Sequence, residues 1–129
     1  MDSKKLAIIG AGAAGLAAAW KLKQMGANFE VTLFDKSRGV SGRAASRTRH
    51  GVRLDPGANY LKAEPPEIAD LLKHQLPNDD FIEIPGDVCT FNWKNQITPG
   101  DPELNAEAKY TYRGGISQLG KLLLDASGA

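Results

Sequence analysis

Lys5-Leu6-Ala7-Ile8-Ile9-Gly10-Ala11-Gly12-Ala13-Ala14-Gly15 is an apolar strand running into Gly-x-Gly-x-x-Gly, and Asp35 stands twenty residues beyond the last glycine. This spacing predicts a Rossmann-like βαβ unit that holds a dinucleotide by its pyrophosphate. Gly10 permits the tight strand-to-helix turn, Gly12 lets backbone approach the phosphates, and Gly15 lets the helix pack closely on the strand. Ala13 and Ala14 open the helix, so their free N–H groups and the positive end of the macrodipole face the anion. Asp35, at the end of the second apolar run Val31-Thr32-Leu33-Phe34, would accept hydrogen bonds from ribose hydroxyls. Gly10 and Gly12 would each cost a helix about 1 kcal/mol relative to alanine, which places them ahead of it. The helix is expected over 13–25 with Gly15, Ala18, Leu22 and Met25 on one face and Gly26 as its stop.

With 129 residues and a net charge of +1, the composition describes one soluble globular domain with no signal for nucleic-acid or membrane partners. Lys4-Lys5 ahead of an apolar stretch resembles a secretory signal, but signal cores favour leucine over alternating glycines. Cys89 has no partner for an internal disulfide, which suits a reducing cytoplasm; it reads as a buried small apolar strand residue or a reactive thiol. No histidine or cysteine cluster has metal-ligand spacing, and His50 and His74 read as surface residues.

Beyond the nucleotide unit an α+β segment is expected. Pro65-Pro66-Glu67 opens a helix to about Leu76, with Ile68, Leu71 and Leu72 inward and Pro77 as its stop. The runs 81–84 and 88–93 alternate apolar and polar residues around Pro85-Gly86-Asp87, predicting an antiparallel hairpin. A polar loop through Pro99, Gly100 and Pro102 leads to a short strand at 110–112 and a last helix over about 116–124.

Asp35-Lys36-Ser37-Arg38-Gly39-Val40-Ser41-Gly42-Arg43-Ala44-Ala45-Ser46 is a second motif that a plain nicotinamide dehydrogenase does not need. It resembles the flavin-containing amine oxidase superfamily, in which the ribose-binding acid is followed by an arginine, a Gly-Gly doublet and a second arginine. Asp55-Pro56-Gly57-Ala58-Asn59-Tyr60 and Tyr112-Arg113-Gly114-Gly115-Ile116-Ser117-Gln118-Leu119 look like the matching segments of its renalase-like branch. The resemblance implies FAD. Gly42 would bring a second stretch of backbone to the cofactor, and Arg43 would add a bidentate fork for the pyrophosphate. Arg38 would contact the adenosine side, and Lys36 is a further cofactor-binding candidate. Gly57 and Ala58 would pass near the isoalloxazine ring, or form only a tight turn after Pro56. Alternatively Lys36, Arg38, Arg43, Arg47 and Arg49 form a patch for an NADP 2′-phosphate, or a solvated basic loop; Asp35 opposes the phosphate. Ser41 departs from the family's first doublet glycine, so either its backbone is ordinary or the approach is relaxed.

The resemblance further implies hydride transfer from a small molecule, such as an amine or a reduced nicotinamide, to flavin. It matches only the N-terminal portion of proteins more than twice as long, so residues 1–129 read as an FAD-binding domain truncated before the family's remaining cofactor and substrate segments. Two functions stay open: a portion of a flavin-dependent oxidoreductase, or a dinucleotide-binding module without turnover. Two parallel strands alone would leave an open sheet edge, a route to self-association.

Overall fold

The computed structural model describes residues 3–129. Strand β1 (Lys4–Ile9), helix α1 (Ala13–Gln24) and strand β2 (Phe29–Phe34) form the expected βαβ unit, with β1 and β2 parallel from Lys4 opposite Phe29 to Ile9 opposite Phe34. Gly10 takes φ +101° at the turn into α1, and a Cβ on Gly15 would overlap the Gly10 carbonyl oxygen. Both positions therefore exclude a side chain, one by conformation and one by space.

Beyond β2, a single 3₁₀ turn (Gly42–Ala44) leads into strands β3 (Arg47–Arg49) and β4 (Val52–Leu54), an antiparallel hairpin where the sequence reading had only a basic loop. Helix α2 (Pro66–Asp70) widens into a π-helical turn over Leu71–Gln75 instead of continuing as one α-helix to Leu76. That turn carries Leu71 and Leu72 inward and leaves Ile68, expected on the same face, 40% exposed.

The expected hairpin between 81–84 and 88–93 does not form. Strand β5 (Phe81–Glu83) pairs instead with β8 (Tyr110–Tyr112), antiparallel, with Phe81 opposite Tyr112. Aromatic contacts favour this partner: the Phe81 ring stacks on Tyr110 at 5.1 Å and tilts against Tyr112 at 5.2 Å. Strand β6 (Cys89–Phe91) pairs with β7 (Ile97–Pro99), because Asn92 closes a local turn. Its Oδ1 accepts from the Lys94 and Gln96 N–H groups at 2.9 and 3.1 Å. The short helix α3 (Pro102–Ala106) replaces part of the expected loop, capped by Asp101 Oδ1 accepting from Glu103 N. Cys89 is a free, exposed thiol rather than a buried one, because this hairpin projects from the core.

The last helix, α4 (Ser117–Ser127), packs against α1 and decides which face of α1 is buried. Leu16 and Ala19 are inaccessible there, whereas Ala18 is exposed and Met25 is 69% exposed, contrary to the face read from the sequence. The core gathers Ala11, Leu16, Leu71, Leu76 and Leu123, with Trp20, Leu33 and Leu119 packed around it. Burial of Leu16 alone contributes about 1.5–3 kcal/mol.

Gly120 is the close-approach point of α4. A Cβ there would overlap Ser41 Oγ and press on Leu16 Cδ1 at 3.2 Å. Gly120→Ala is therefore expected to destabilise by about 1–3 kcal/mol despite its better helix propensity. Ser41→Gly in the same chain should recover most of that loss; additive effects in urea unfolding would show that the two residues do not compete for one space.

Tyr112 is 2% exposed, and its hydroxyl has no hydrogen-bond partner among the described residues. Burial pushes its phenol up from 10.0 to about 12. The unfolded chain thus releases this proton first, so the stabilising contribution is complete below the unfolded value and is lost as pH rises through the folded one. Tyr112→Phe should match or exceed the parent at neutral pH, and its advantage should grow by roughly 1 kcal/mol per pH unit from pH ~10 to the folded value of about 12, then level off. Parallel stability curves for the two proteins across that range would contradict this.

Candidate functional site

Helix α1 starts without a capping side chain, since its N-cap is Gly12, and its first backbone bond runs from Leu16 N to Gly12 O at 3.0 Å. The N–H groups of Ala13, Ala14 and Gly15 precede that bond and have no intrahelical acceptor. No acidic residue lies within the first turn, so the helix itself adds no negative charge at its positive end. A Cβ on Gly12 would meet nothing within 4 Å, so the approach to these donors is open.

A second turn is tied against the first. Ser41 N donates to Ala11 O at 2.8 Å, and Gly12 and Ser41 form an isolated parallel bridge. Ser41 has φ 89°, in the left-handed region that favours glycine, so the ordinary-backbone expectation does not hold. A non-glycine residue held there costs on the order of 1–3 kcal/mol. Burial to 3% exposure and an Oγ–H bond to Ser117 O at 3.2 Å hold it in place. The turn at Pro56-Gly57-Ala58 completes the arrangement: Ala58 N donates to Arg43 O at 3.1 Å, and a Cβ on Gly57 would overlap that same carbonyl oxygen.

Gly12, Ala13, Ala14, Gly42, Arg43, Gly57 and Ala58 consequently line one open cleft of about 1360 Å³. Gly10 and Gly15 stand behind it as the packing of the turn. Asp35 is next to the cleft and not on its wall: Oδ2 accepts from Ala11 N and Oδ1 from Ser37 N, each at 2.7 Å. Lys36 and Arg38 are exposed and lie outside the cleft lining. The residues the sequence reading left out of its site are Ser41, Ala44 and Ala45 of the second turn, Pro56, and Arg47, Arg49 and Leu54 of the β3–β4 hairpin. Alternation in Arg47-Thr48-Arg49 and Val52-Arg53-Leu54 around His50-Gly51 is the signal that marks that hairpin.

Asp55 does not face the cleft as a donor or acceptor; it is an anchor. Its Oδ1 accepts from Ser46 Oγ at 2.5 Å and its Oδ2 from Ile116 N at 3.1 Å, at the start of α4. Ser117 N donates to Ser46 Oγ, and Arg53 Nη2 donates to Ser117 Oγ at 3.0 Å. No metal-holding group of His, Cys, Asp and Glu occurs among the described residues. No helix among them is long and apolar enough to cross a membrane.

The backbone N–H donors of Ser37 and then Ala11 hold the Asp35 carboxyl below its ordinary value. A depressed folded value means that this contribution to stability is present above the unfolded carboxylate range and is lost as pH falls through the folded one. Asp35→Asn should therefore melt below the parent at neutral pH, with the gap closing in acid. A constant gap in melting temperature from neutral to acid pH would show that the carboxylate charge is not what the two N–H groups recognise.

A family model described as an NAD(P)-binding Rossmann-like domain matches residues 8–74. The chain is 42% identical over 72 residues to protoporphyrinogen oxidase 2, chloroplastic/mitochondrial, of Arabidopsis thaliana, covering 56% of this chain and 14% of that enzyme. Among solved structures it is similar to the CLA-producing fatty acid isomerase from P. acnes, at 29% identity and a TM-score of 0.55, over 75% of this chain and 22% of that one. It is also similar to putrescine oxidase bound to putrescine, at 25% identity and a TM-score of 0.51, over 78% of this chain and 22% of the other. The chain thus spans about a seventh to about a fifth of the length of these proteins.

Proposed function

The chain belongs to the NAD(P)-binding Rossmann-like domain family, and from that premise we propose that its dinucleotide is FAD and that residues 1–129 are the N-terminal FAD-binding portion of a flavin-dependent oxidoreductase. The observation that carries this reading is the convergence of two glycine-containing turns on one helix N-terminus, with Arg43 in the same cleft wall. A nicotinamide dinucleotide uses the first turn and the acid; the second turn and its arginine are additional equipment.

In this reading the Gly12–Ala14 backbone and the Arg43 guanidinium hold the pyrophosphate, and Gly42 lets the second turn come close to it. Asp35, already ionised and fixed by two N–H groups, keeps lone pairs for ribose hydroxyls. Its negative charge opposes an NADP 2′-phosphate. Lys36 and Arg38 flank that carboxylate on the adenosine side, and Gly57-Ala58 supply a flat wall toward the ring system. When bound, the flavin takes up a hydride from a small organic substrate and is reoxidised, while the protein orients the reactants and excludes water. Asp55-Pro56-Gly57-Ala58-Asn59-Tyr60 and the Gly114-Gly115 segment support the renalase-like branch within this reading. The exposed single thiol of Cys89 suits a reducing, cytoplasmic setting.

Titration of the chain with FAD and with NADP+, followed by flavin fluorescence and calorimetry, tests the proposal. FAD should bind and develop the visible absorbance of a held flavin, and NADP+ should not compete. Arg43→Ala should weaken FAD by about 10- to 150-fold, the equivalent of a charge-assisted hydrogen bond of about 1.5–3 kcal/mol. Equal affinity in the variant would remove Arg43 from the site, and a chain that binds NADP+ but not FAD would overturn the cofactor assignment.

A further inference from the structure

The β3–β4 hairpin carries two arginines that the cofactor reading does not use. Register places Arg47 opposite Leu54, Thr48 opposite Arg53, and Arg49 opposite Val52. Directly opposite residues share a face, so Arg47, Arg49, Val52 and Leu54 lie on one side and Thr48 and Arg53 on the other. From the second side Arg53 reaches Ser117 Oγ at 3.0 Å and ties the hairpin to α4. The first side faces the cleft, which Arg47, Arg49 and Leu54 help to line. His50 and Gly51, both with positive φ, close the hairpin with the turn geometry that matches strand twist, which fixes the register of the two arginines.

The chemistry of this face is specific. Arg47 and Arg49 are about 7 Å apart along the strand and neither enters an ion pair or a side-chain hydrogen bond among the described residues. Beside them Val52 and Leu54 remain 57% and 47% exposed. Phosphates recognised by arginine need no apolar neighbours, and an amine approaching two guanidiniums is repelled. A carboxylate attached to an apolar body satisfies both halves of the surface: the guanidinium forks take the carboxylate and the aliphatic pair takes the body.

We propose that Arg47, Arg49 and Leu54 in the cleft wall, with Val52 beside them on the same hairpin face, form a substrate subsite for a carboxylate-bearing apolar molecule at the edge of the dinucleotide cleft. The inference rests on the flavin reading for the word substrate, and on the hairpin face alone for the ligand's chemistry. It selects anionic hydride donors over amines.

Calorimetric titration of the full chain with laurate and with dodecylamine, each with and without FAD, tests it. Laurate should bind, dodecylamine should bind about tenfold more weakly or not at all, and added salt should weaken laurate. The doubly substituted chain Arg47→Gln, Arg49→Gln should lose laurate affinity by about tenfold or more while FAD affinity stays unchanged. Arg47→Lys with Arg49→Lys should retain part of it, because charge persists without the planar fork. Equal binding of laurate and dodecylamine, or no laurate binding by the parent, would overturn the subsite. So would a loss of FAD or NADP+ affinity in the Gln variant as large as the loss of laurate, since the arginines would then belong to the dinucleotide. Arginine-dependent laurate binding by a chain that never takes up FAD would uphold the subsite and refute the flavin reading instead.

Discussion

Backbone at Ala11-Gly12 touches backbone at Ser41-Gly42, and the rest of the structure is arranged to permit it. The contact consists of one hydrogen bond, Ser41 N to Ala11 O at 2.8 Å, and an isolated parallel bridge between Gly12 and Ser41. A Cβ on Gly42 would already meet Gly12 Cα at 3.4 Å. Because two turns from different parts of the chain meet here, the helix N-terminus does not stand alone at the cleft: backbone approaches from both sides. The cost is a left-handed serine, and the compensation comes from α4, whose Ser117 carbonyl accepts the Ser41 hydroxyl and whose Gly120 leaves space for it.

Helix α4 is therefore more than a cover for α1. Its first residues accept and donate in a polar knot with Ser46, Arg53 and Asp55. That knot fixes both ends of the β3–β4 hairpin and the entry to the Pro56-Gly57-Ala58 turn. Gly115 has φ +92°, and a Cβ there would overlap Ser46 Oγ, so the bend into α4 and the knot depend on the same missing side chain. A partly buried network of this kind holds a shape only when its members are satisfied together, because one lost partner leaves the others desolvated and unpaired.

The part of this arrangement that sequence reveals is the part encoded within short range. Lys5 to Gly15 and the acid at 35 announce the βαβ unit because strand, turn, helix and acid follow one another at fixed spacing. The same reading fails at β5, since Phe81–Glu83 pairs with a strand nearly thirty residues away and the choice is made by aromatic faces on Tyr110 and Tyr112. A local turn at Pro85-Gly86-Asp87 offered a nearer partner, but 89–91 has its own turn at Asn92. The buried face of α1 fails for a related reason. Helical periodicity shows which residues share a face, and only the docking of α4 decides that Leu16 and Ala19 are covered and Met25 is not. Around the cleft, Gly10, Gly15 and Gly57 are legible as backbone requirements, by conformation at the first and by space at the other two. The strain at Ser41 and the placement of Arg47 and Arg49 at the open cleft depend on register and on long-range contacts, such as the Ser41 to Ser117 bond across 76 residues of chain.

The cleft divides its work between two kinds of group. Its floor is backbone: N–H groups of α1 and glycine turns whose positions are set once the chain has folded, with little side-chain freedom left to lose on binding. Its rim is side chain: Arg43 near the turns, then Arg47 and Arg49 out along β3. Fixed donors suit a ligand that is always the same, since they cannot be retuned without disturbing the fold around Ser41 and Gly120. Guanidiniums on an exposed hairpin can be exchanged with little effect on stability, since neither Arg47 nor Arg49 supports the polar knot behind them. Under the proposed assignment, a site so divided would keep its cofactor while its substrate preference changed, with the boundary between Arg43 and Arg47.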